Sequence, residues 1–147
     1  MFESLLRRLL DPAPATLADP DARLALAALL VRVARADDHY TPAETARIDA
    51  VLRARFGLSP FEAVRLRTGA ETLEEEAPDT VRFTRAIKEH VPYDDRLGVI
   101  EALWDVALAD GARSADEDGL LRLVAPMLGV EDADSALARQ RVEARRA

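Results

Sequence analysis

Two short acidic stretches carry the residues of this chain whose types and spacing could do chemistry. Residues 36–44 read ADDHYTPAE, and residues 109–117 read ADGARSADE. In each stretch an aspartate follows an alanine, and a hydroxyl residue stands three positions before a glutamate. The oxygen atoms of such carboxylates could hold Ca²⁺ or a similar hard divalent cation. The candidate metal ligands are Asp37, Asp38, Glu44, Asp110 and Glu117.

The hydroxyl and the glutamate of each stretch also have the spacing of a helix capping box. The Thr-x-x-Glu segment at 41–44 and the Ser-x-x-Glu segment at 114–117 fit this pattern, as does Ser-x-x-Glu at 59–62. In a capping box the hydroxyl accepts a hydrogen bond from the backbone N–H three residues on, and the glutamate accepts one from the N–H of the cap. Helix starts alone therefore explain these hydroxyls and glutamates.

Asp37 and Asp110 are not explained in this way, because each is expected near the C-terminal end of a helix. The helix dipole concentrates negative charge there, so a carboxylate is unfavourable by about 0.3–1 kcal/mol. Four partners could offset this charge: loop N–H groups, the N-terminus of another helix, a bound cation, or an arginine such as Arg35 or Arg113. The residue types alone leave these alternatives open.

Helical periodicity dominates the elements that must position the two stretches, and no segment alternates like a strand. A helix over residues 19–36 is apolar around most of its circumference, which predicts a central buried helix. A second strongly apolar helix leads into the 109–117 stretch and carries Trp104, which we expect in the core. The three glutamates at 74–76 predict a solvated surface after a helix that ends near Leu73.

Further expectations concern helix ends and helix faces. Asp94 is expected to cap the helix that carries Trp104. His90 is expected near the C-terminus of the preceding helix, where a partly positive imidazole is favourable. The last helix, over residues 133–145, is polar and is expected to turn Leu137 and Val142 inward.

The overall composition narrows the kind of partner that the chain can bind. A length of 147 residues fits one domain, and the absence of cysteine excludes disulfides and thiolate metal sites. The formal net charge of −7 disfavours nucleic acid as a partner and favours cations or basic partners. No apolar run approaches the roughly 18 residues of a membrane span, so we expect a soluble, cytoplasmic protein.

The two acidic stretches belong to a longer internal repeat. Residues 34–58 align with residues 107–130 when one residue is deleted. Each copy consists of a buried helix, an acidic turn, an amphipathic helix and a glycine at which that helix stops. The pattern predicts a single all-α domain of about seven to eight helices with an internal pseudo-two-fold repeat.

The repeated turn resembles that of the tellurite-resistance TerB family of small helical domains. The resemblance rests on Ala-Asp-Asp at 36–38 with Glu44, and on Ala-Asp-Gly at 109–111 with Glu117. The family pattern implies glycine at position 38, where this chain has Asp38. The implied organisation is one TerB-like domain over residues 1–147, with an amphipathic helix and linker at 1–14, a repeat-containing core at 20–131 and a C-terminal helix at 132–147.

For function, the resemblance implies a non-enzymatic helical module that is linked to bacterial tellurite or stress response and binds an unknown protein partner. A divalent cation such as Ca²⁺ at the acidic turns is the ligand that suits this view. One alternative is a carboxylate-based, metal-assisted hydrolase, although the sequence has none of the common hydrolase motifs. Another is a peripheral membrane or partner adaptor that uses the amphipathic helix over residues 1–10.

Overall fold

Helices make up all of the regular structure in the residues that the computed structural model describes, which are 19–36, 38–76, 80–109 and 115–146. In chain order the helices are α1 (Asp19–Ala34), α2 (Pro42–Phe56), α3 (Pro60–Glu76), α4 (Val81–His90), α5 (Tyr93–Ala107), α6 (Ala115–Met127) and α7 (Asp132–Arg146). The predicted all-α single domain is therefore confirmed. The internal repeat stays a prediction.

Helix α1 lies at the centre of the domain, as its apolar residues around most of the circumference predicted. Every residue from Leu24 to Val31 is buried. The helix contacts α2, α3, α4, α5 and α6. A helix that is covered on all sides needs no polar face, which explains why its apolar residues follow no stripe.

Helix α5 is the second buried helix and packs against α1, α2, α4, α6 and α7. Trp104 is 3% exposed, which confirms its predicted place in the core. Its indole N–H donates a hydrogen bond to Oγ of Ser135 in α7 at 3.3 Å. A buried indole N–H requires such a partner, so Ser135 also fixes the register of α7 on α5.

Two predicted helix ends differ from those in the structure. Helix α3 continues to Glu76 instead of ending near Leu73. Helix α5 begins at Tyr93 with Pro92 at its N-cap, so Asp94 lies inside the first turn and is not the cap. The helix dipole favours an acidic residue both at the N-cap and in the first turn, so Asp94 suits either position.

The inward face of the last helix was predicted correctly at one of two positions. Val142 is fully buried, but Leu137 is 50% exposed. The buried face of α7 follows Ser135, Ala138 and Val142, which are three and four residues apart and share one side of the helix. Leu137 precedes Ala138 by one residue and therefore points about 100° away from that side.

Some sequence predictions lie outside the described residues. These are the amphipathic helix and linker at 1–14 and the capping hydroxyl of Ser114. Over the ranges that the structure does describe, no helix combines the length and the apolar character needed to cross a membrane.

Candidate functional site

The first acidic turn connects α1 to α2 through a residue in the left-handed backbone conformation. Asp38 has a φ of 63°. Its backbone N–H donates a hydrogen bond to the carbonyl oxygen of Arg35 at 3.1 Å, and its side chain is exposed. The left-handed region is the one that glycine adopts most readily. Asp38 thus occupies the conformation that suits the glycine of the family pattern.

We expect Asp38→Gly to be about 1 kcal/mol more stable than Asp38→Ala, because only the alanine variant keeps a Cβ in the left-handed conformation. Both variants remove the carboxylate, so the difference isolates the backbone term. Urea unfolding followed by circular dichroism measures the two free energies of unfolding. Equal stabilities would contradict the left-handed conformation at this position.

The predicted capping boxes are confirmed where the structure describes them. The backbone N–H of Glu44 donates to Oγ1 of Thr41 at 3.1 Å, and the backbone N–H of Thr41 donates to Oε1 of Glu44 at 2.9 Å. Ser59 and Glu62 form the same pair of hydrogen bonds at 2.9 and 3.2 Å, and the bonds from Ser59 lower the pKa of Glu62. The Glu44 side chain is therefore used to begin α2, and the residue is only 1% exposed.

Behind the first turn, the end of α1 is joined to the end of α3 by ion pairs. Arg32 Nε contacts Glu74 Oε2 at 3.1 Å, and Arg35 Nη1 contacts Glu74 Oε1 at 2.8 Å. Arg32 also donates to the backbone carbonyl of Glu74 at 3.0 Å. The side chains of Arg32 and Glu74 are each only 14% exposed. The solvated surface predicted for residues 74–76 is therefore wrong at Glu74, whose two arginine partners take the place of water.

The same surface of α3 also holds the residue that follows the turn. The hydroxyl of Tyr40 donates to Oε2 of Glu71 at 2.7 Å. Arg67 donates to that same oxygen at 2.9 Å and to Oδ1 of Asp49 in α2 at 2.6 Å. Burial, followed by the hydrogen bond to Glu71, raises the pKa of Tyr40. The guanidinium of Arg35 lies 4.9 Å from the centre of the Tyr40 ring, so both ends of the turn are fixed.

Of these residues the sequence pointed only to Arg35, as a possible partner of a turn aspartate, and in the structure Arg35 pairs with Glu74 and Glu75. One further signal was present. Arg32 is a charged residue in an otherwise buried apolar helix, and such a residue requires a partner of opposite charge. We define Arg32, Arg35, Tyr40, Asp49, Arg67, Glu71 and Glu74 as the α1–α3 polar cluster. Its contacts hold Arg35 and Tyr40, which flank the first acidic turn, and the side chain of Asp38 remains exposed.

The five candidate metal ligands have different places relative to the described structure. Asp37, Asp110 and the side chain of Glu117 lie outside it, Asp38 is exposed, and Glu44 is buried in its capping box. Within the described part of the chain, no group of three or more His, Asp or Glu could hold a metal ion. A cation at the acidic turns therefore stays a prediction.

A cleft at the opposite end of α1 was not predicted from the sequence. It has a volume of about 560 Å³ and lies where the first turns of α1 and α5 meet the last turns of α2 and α4. Arg23, Arg55 and His90 line it together with apolar side chains. His90 is the last residue of α4, as predicted, but its place beside two arginines depends on the packing of four helices.

The chain matches the protein-family model described as "Tellurite resistance protein TerB" over residues 23–140. The matched range contains both acidic stretches and all of α2 to α6. Comparisons with curated proteins and with solved structures give no match.

Proposed function

Because the chain belongs to the TerB family, we propose that it is a non-catalytic helical binding module of the response to tellurite or a related toxic agent. The observation that carries this proposal is the extent of the family match, since residues 23–140 contain both acidic turns and most of the helical domain. In this role the module catalyses no reaction and binds its ligand through the pair of acidic turns.

We place recognition at the acidic turns because their chemistry suits positively charged ligands. The chain has a formal net charge of −7, which attracts cations and basic protein surfaces. In the first turn, the exposed Asp38 follows Asp37, and the α1–α3 polar cluster holds the backbone on both sides of them. Fixed residues on either side of a turn reduce the conformational entropy that it loses when it binds a ligand.

The proposed ligand of the turns is a hard divalent cation such as Ca²⁺, which also binds carbonyl oxygens of a protein partner. Asp37 and Asp38 supply the oxygen atoms in the first turn, and Asp110 and Glu117 supply them in the second. Glu44 contributes least, because its Oε1 already accepts the hydrogen bond from Thr41. Few carboxylates in each turn imply weak binding by the isolated protein and tighter binding when a partner adds ligands.

Calorimetric titration of the full chain with Ca²⁺, Mg²⁺ and Mn²⁺ tests the cation. We expect heat of binding and a higher melting temperature in millimolar Ca²⁺, and we expect Asp37→Asn and Asp110→Asn each to reduce both effects. Glu62→Gln is the matched control, since Ser59 and Glu62 form a capping box without a preceding aspartate. No heat and no change in melting temperature at millimolar concentrations would exclude the cation.

The cellular role has a separate test. A strain that lacks this gene is expected to lose resistance to tellurite or another toxic agent, and the wild-type chain is expected to restore it. If the double variant Asp37→Asn with Asp110→Asn is folded by circular dichroism but does not restore resistance, the role belongs to the turns. Esterase or phosphatase activity of the purified chain that disappears in Asp37→Ala and Asp110→Ala would replace this proposal with the hydrolase alternative.

A further inference from the structure

We propose that the cleft between α1, α2, α4 and α5 binds a small carboxylate with an apolar body. This site lies at the opposite end of α1 from the acidic turns, so the inference is independent of the cation proposed there. Its volume of about 560 Å³ is in the range of small-molecule binding pockets.

The charge of the cleft is opposite to that of the chain as a whole. Arg23 and Arg55 line it from α1 and α2, although the formal net charge of the protein is −7. Arg23 stacks over Phe56, with its guanidinium carbon 5.0 Å from the ring centre, and it has no ion pair within the described residues. Arg55 donates to the backbone carbonyl of Asp95 at 2.9 Å, and burial lowers the pKa of Arg55. Both guanidinium groups retain donors for an anionic ligand, since each carries five N–H groups.

His90 also lines this cleft and carries a buried polar atom. Its Nε2 is buried and has no hydrogen-bond partner in the structure. Buried polar atoms in folded proteins nearly always have a partner, so this nitrogen requires an explanation. Nε2 is a hydrogen-bond donor in one neutral tautomer of imidazole, and a carboxylate oxygen that reaches it beside the two guanidinium groups would accept that bond.

The remaining walls of the cleft select the rest of the ligand. Phe56, Val91 and Pro92 line the cleft with apolar side chains that are at least partly exposed, whereas the other apolar lining residues, Leu26, Ile87 and Val99, are buried. These walls favour an alkyl or aromatic body through the hydrophobic effect. Asp95 also lines the cleft, and its negative charge opposes a dianion such as a phosphate monoester more strongly than a single carboxylate. One negative charge joined to an apolar body therefore suits the arginines and the apolar walls, and Asp95 repels it less than it repels a dianion.

Titration of the ¹⁵N-labelled full chain with hexanoate tests this site by amide chemical shifts. We expect shifts at Arg23, Phe56 and Val91 and none at Asp38, at the other end of α1. Hexanamide, which has the same size and no charge, is expected to bind at least tenfold more weakly, and inorganic phosphate is expected to cause no shift at these residues. Equal binding of hexanamide, or no binding of hexanoate at 10 mM (a concentration on the order of weak fragment affinities), would overturn the proposal.

Arginine variants supply the second measurement. Arg23→Gln changes an exposed side chain and is expected to weaken hexanoate binding at least tenfold without altering the fold. Arg55→Gln is expected to have the same effect on binding. Arg53→Gln is the matched control, because Arg53 lies on the same helix as Arg55 and does not line the cleft. Unchanged affinity in Arg23→Gln, or equal losses in Arg53→Gln and Arg55→Gln, would contradict the assignment.

Discussion

Truncation of Leu30 to alanine is expected to lower the free energy of unfolding by about 3 kcal/mol. Leu30 is fully buried in the middle of α1, and α1 contacts five other helices. The cavity that the missing atoms leave cannot be filled by solvent, and neighbours packed on every side can relax only partly. Since typical domains unfold with about 5–15 kcal/mol, this loss is a large share of the total. Urea unfolding followed by the fluorescence of the buried Trp104 measures it.

Leu123→Ala is the matched control, because it makes the same chemical change on the exposed face of α6. Leu123 is 60% exposed, so we expect its truncation to change stability by no more than about 0.5 kcal/mol. Losses of similar size at the two positions would contradict the central place of α1. A destabilisation at Leu30 together with a neutral result at Leu123 would support it.

The place of α1 could be predicted because it depends on the sequence of that helix alone. A helix without a polar face has to be covered on all sides, whichever helices do the covering. The start of α2 at Thr41 and Pro42 and its end at Gly57 were predictable for the same reason. Gly57 has a φ of 64° and ends the helix in the left-handed conformation, for which glycine is the usual residue.

What could not be predicted depends on residues that are distant in the chain. The glutamates at 74–76 have the pattern of a solvated surface, and nothing near them indicates that Glu74 meets Arg32, which is 42 positions away. Leu137 was placed inward because it is apolar, whereas the contact of α7 with α5 selects Ala138 and Val142. Local patterns show which side chains can be buried, but only packing decides which of them are.

The same distinction applies to the candidate sites. The capping boxes at Thr41 and Ser59 were predictable, because both partners lie within one turn of helix. The cleft was not, since Arg23, Arg55 and His90 come from three different helices. The partners of Asp37 and Asp110 depend on the conformation of the turns, and their sequence is compatible with four alternatives.

Replacement of Glu74 by alanine is expected to lower the free energy of unfolding by about 2 kcal/mol, between the values for exposed and fully buried ion pairs. The variant leaves Arg32 and Arg35 without the carboxylate that both contact, and Arg32 is only 14% exposed. Desolvation lowers the pKa of Arg35, but the hydrogen bond and charge of Glu74 outweigh it and raise that pKa. Arginine is not deprotonated in proteins, so both guanidinium groups stay charged in the variant and lose the carboxylate that offsets much of their desolvation. Urea unfolding at low and high salt measures the loss.

Glu75→Ala distinguishes the effect of removing a buried carboxylate from the effect of removing one charge from the glutamate run. Glu75 is adjacent in sequence, its side chain is 67% exposed, and it contacts Arg35 at 3.4 Å. We expect its removal to cost less than about 0.5 kcal/mol, and to cost even less in high salt, because exposed ion pairs are screened. In the double variant Arg32→Met with Glu74→Ala, part of the stability lost in Glu74→Ala should return, since the largely buried charge that faced the Glu74 carboxylate is removed as well. Equal losses at Glu74 and Glu75 would mean that the run is a solvated surface after all, and that the α1–α3 polar cluster does not stabilise the first turn.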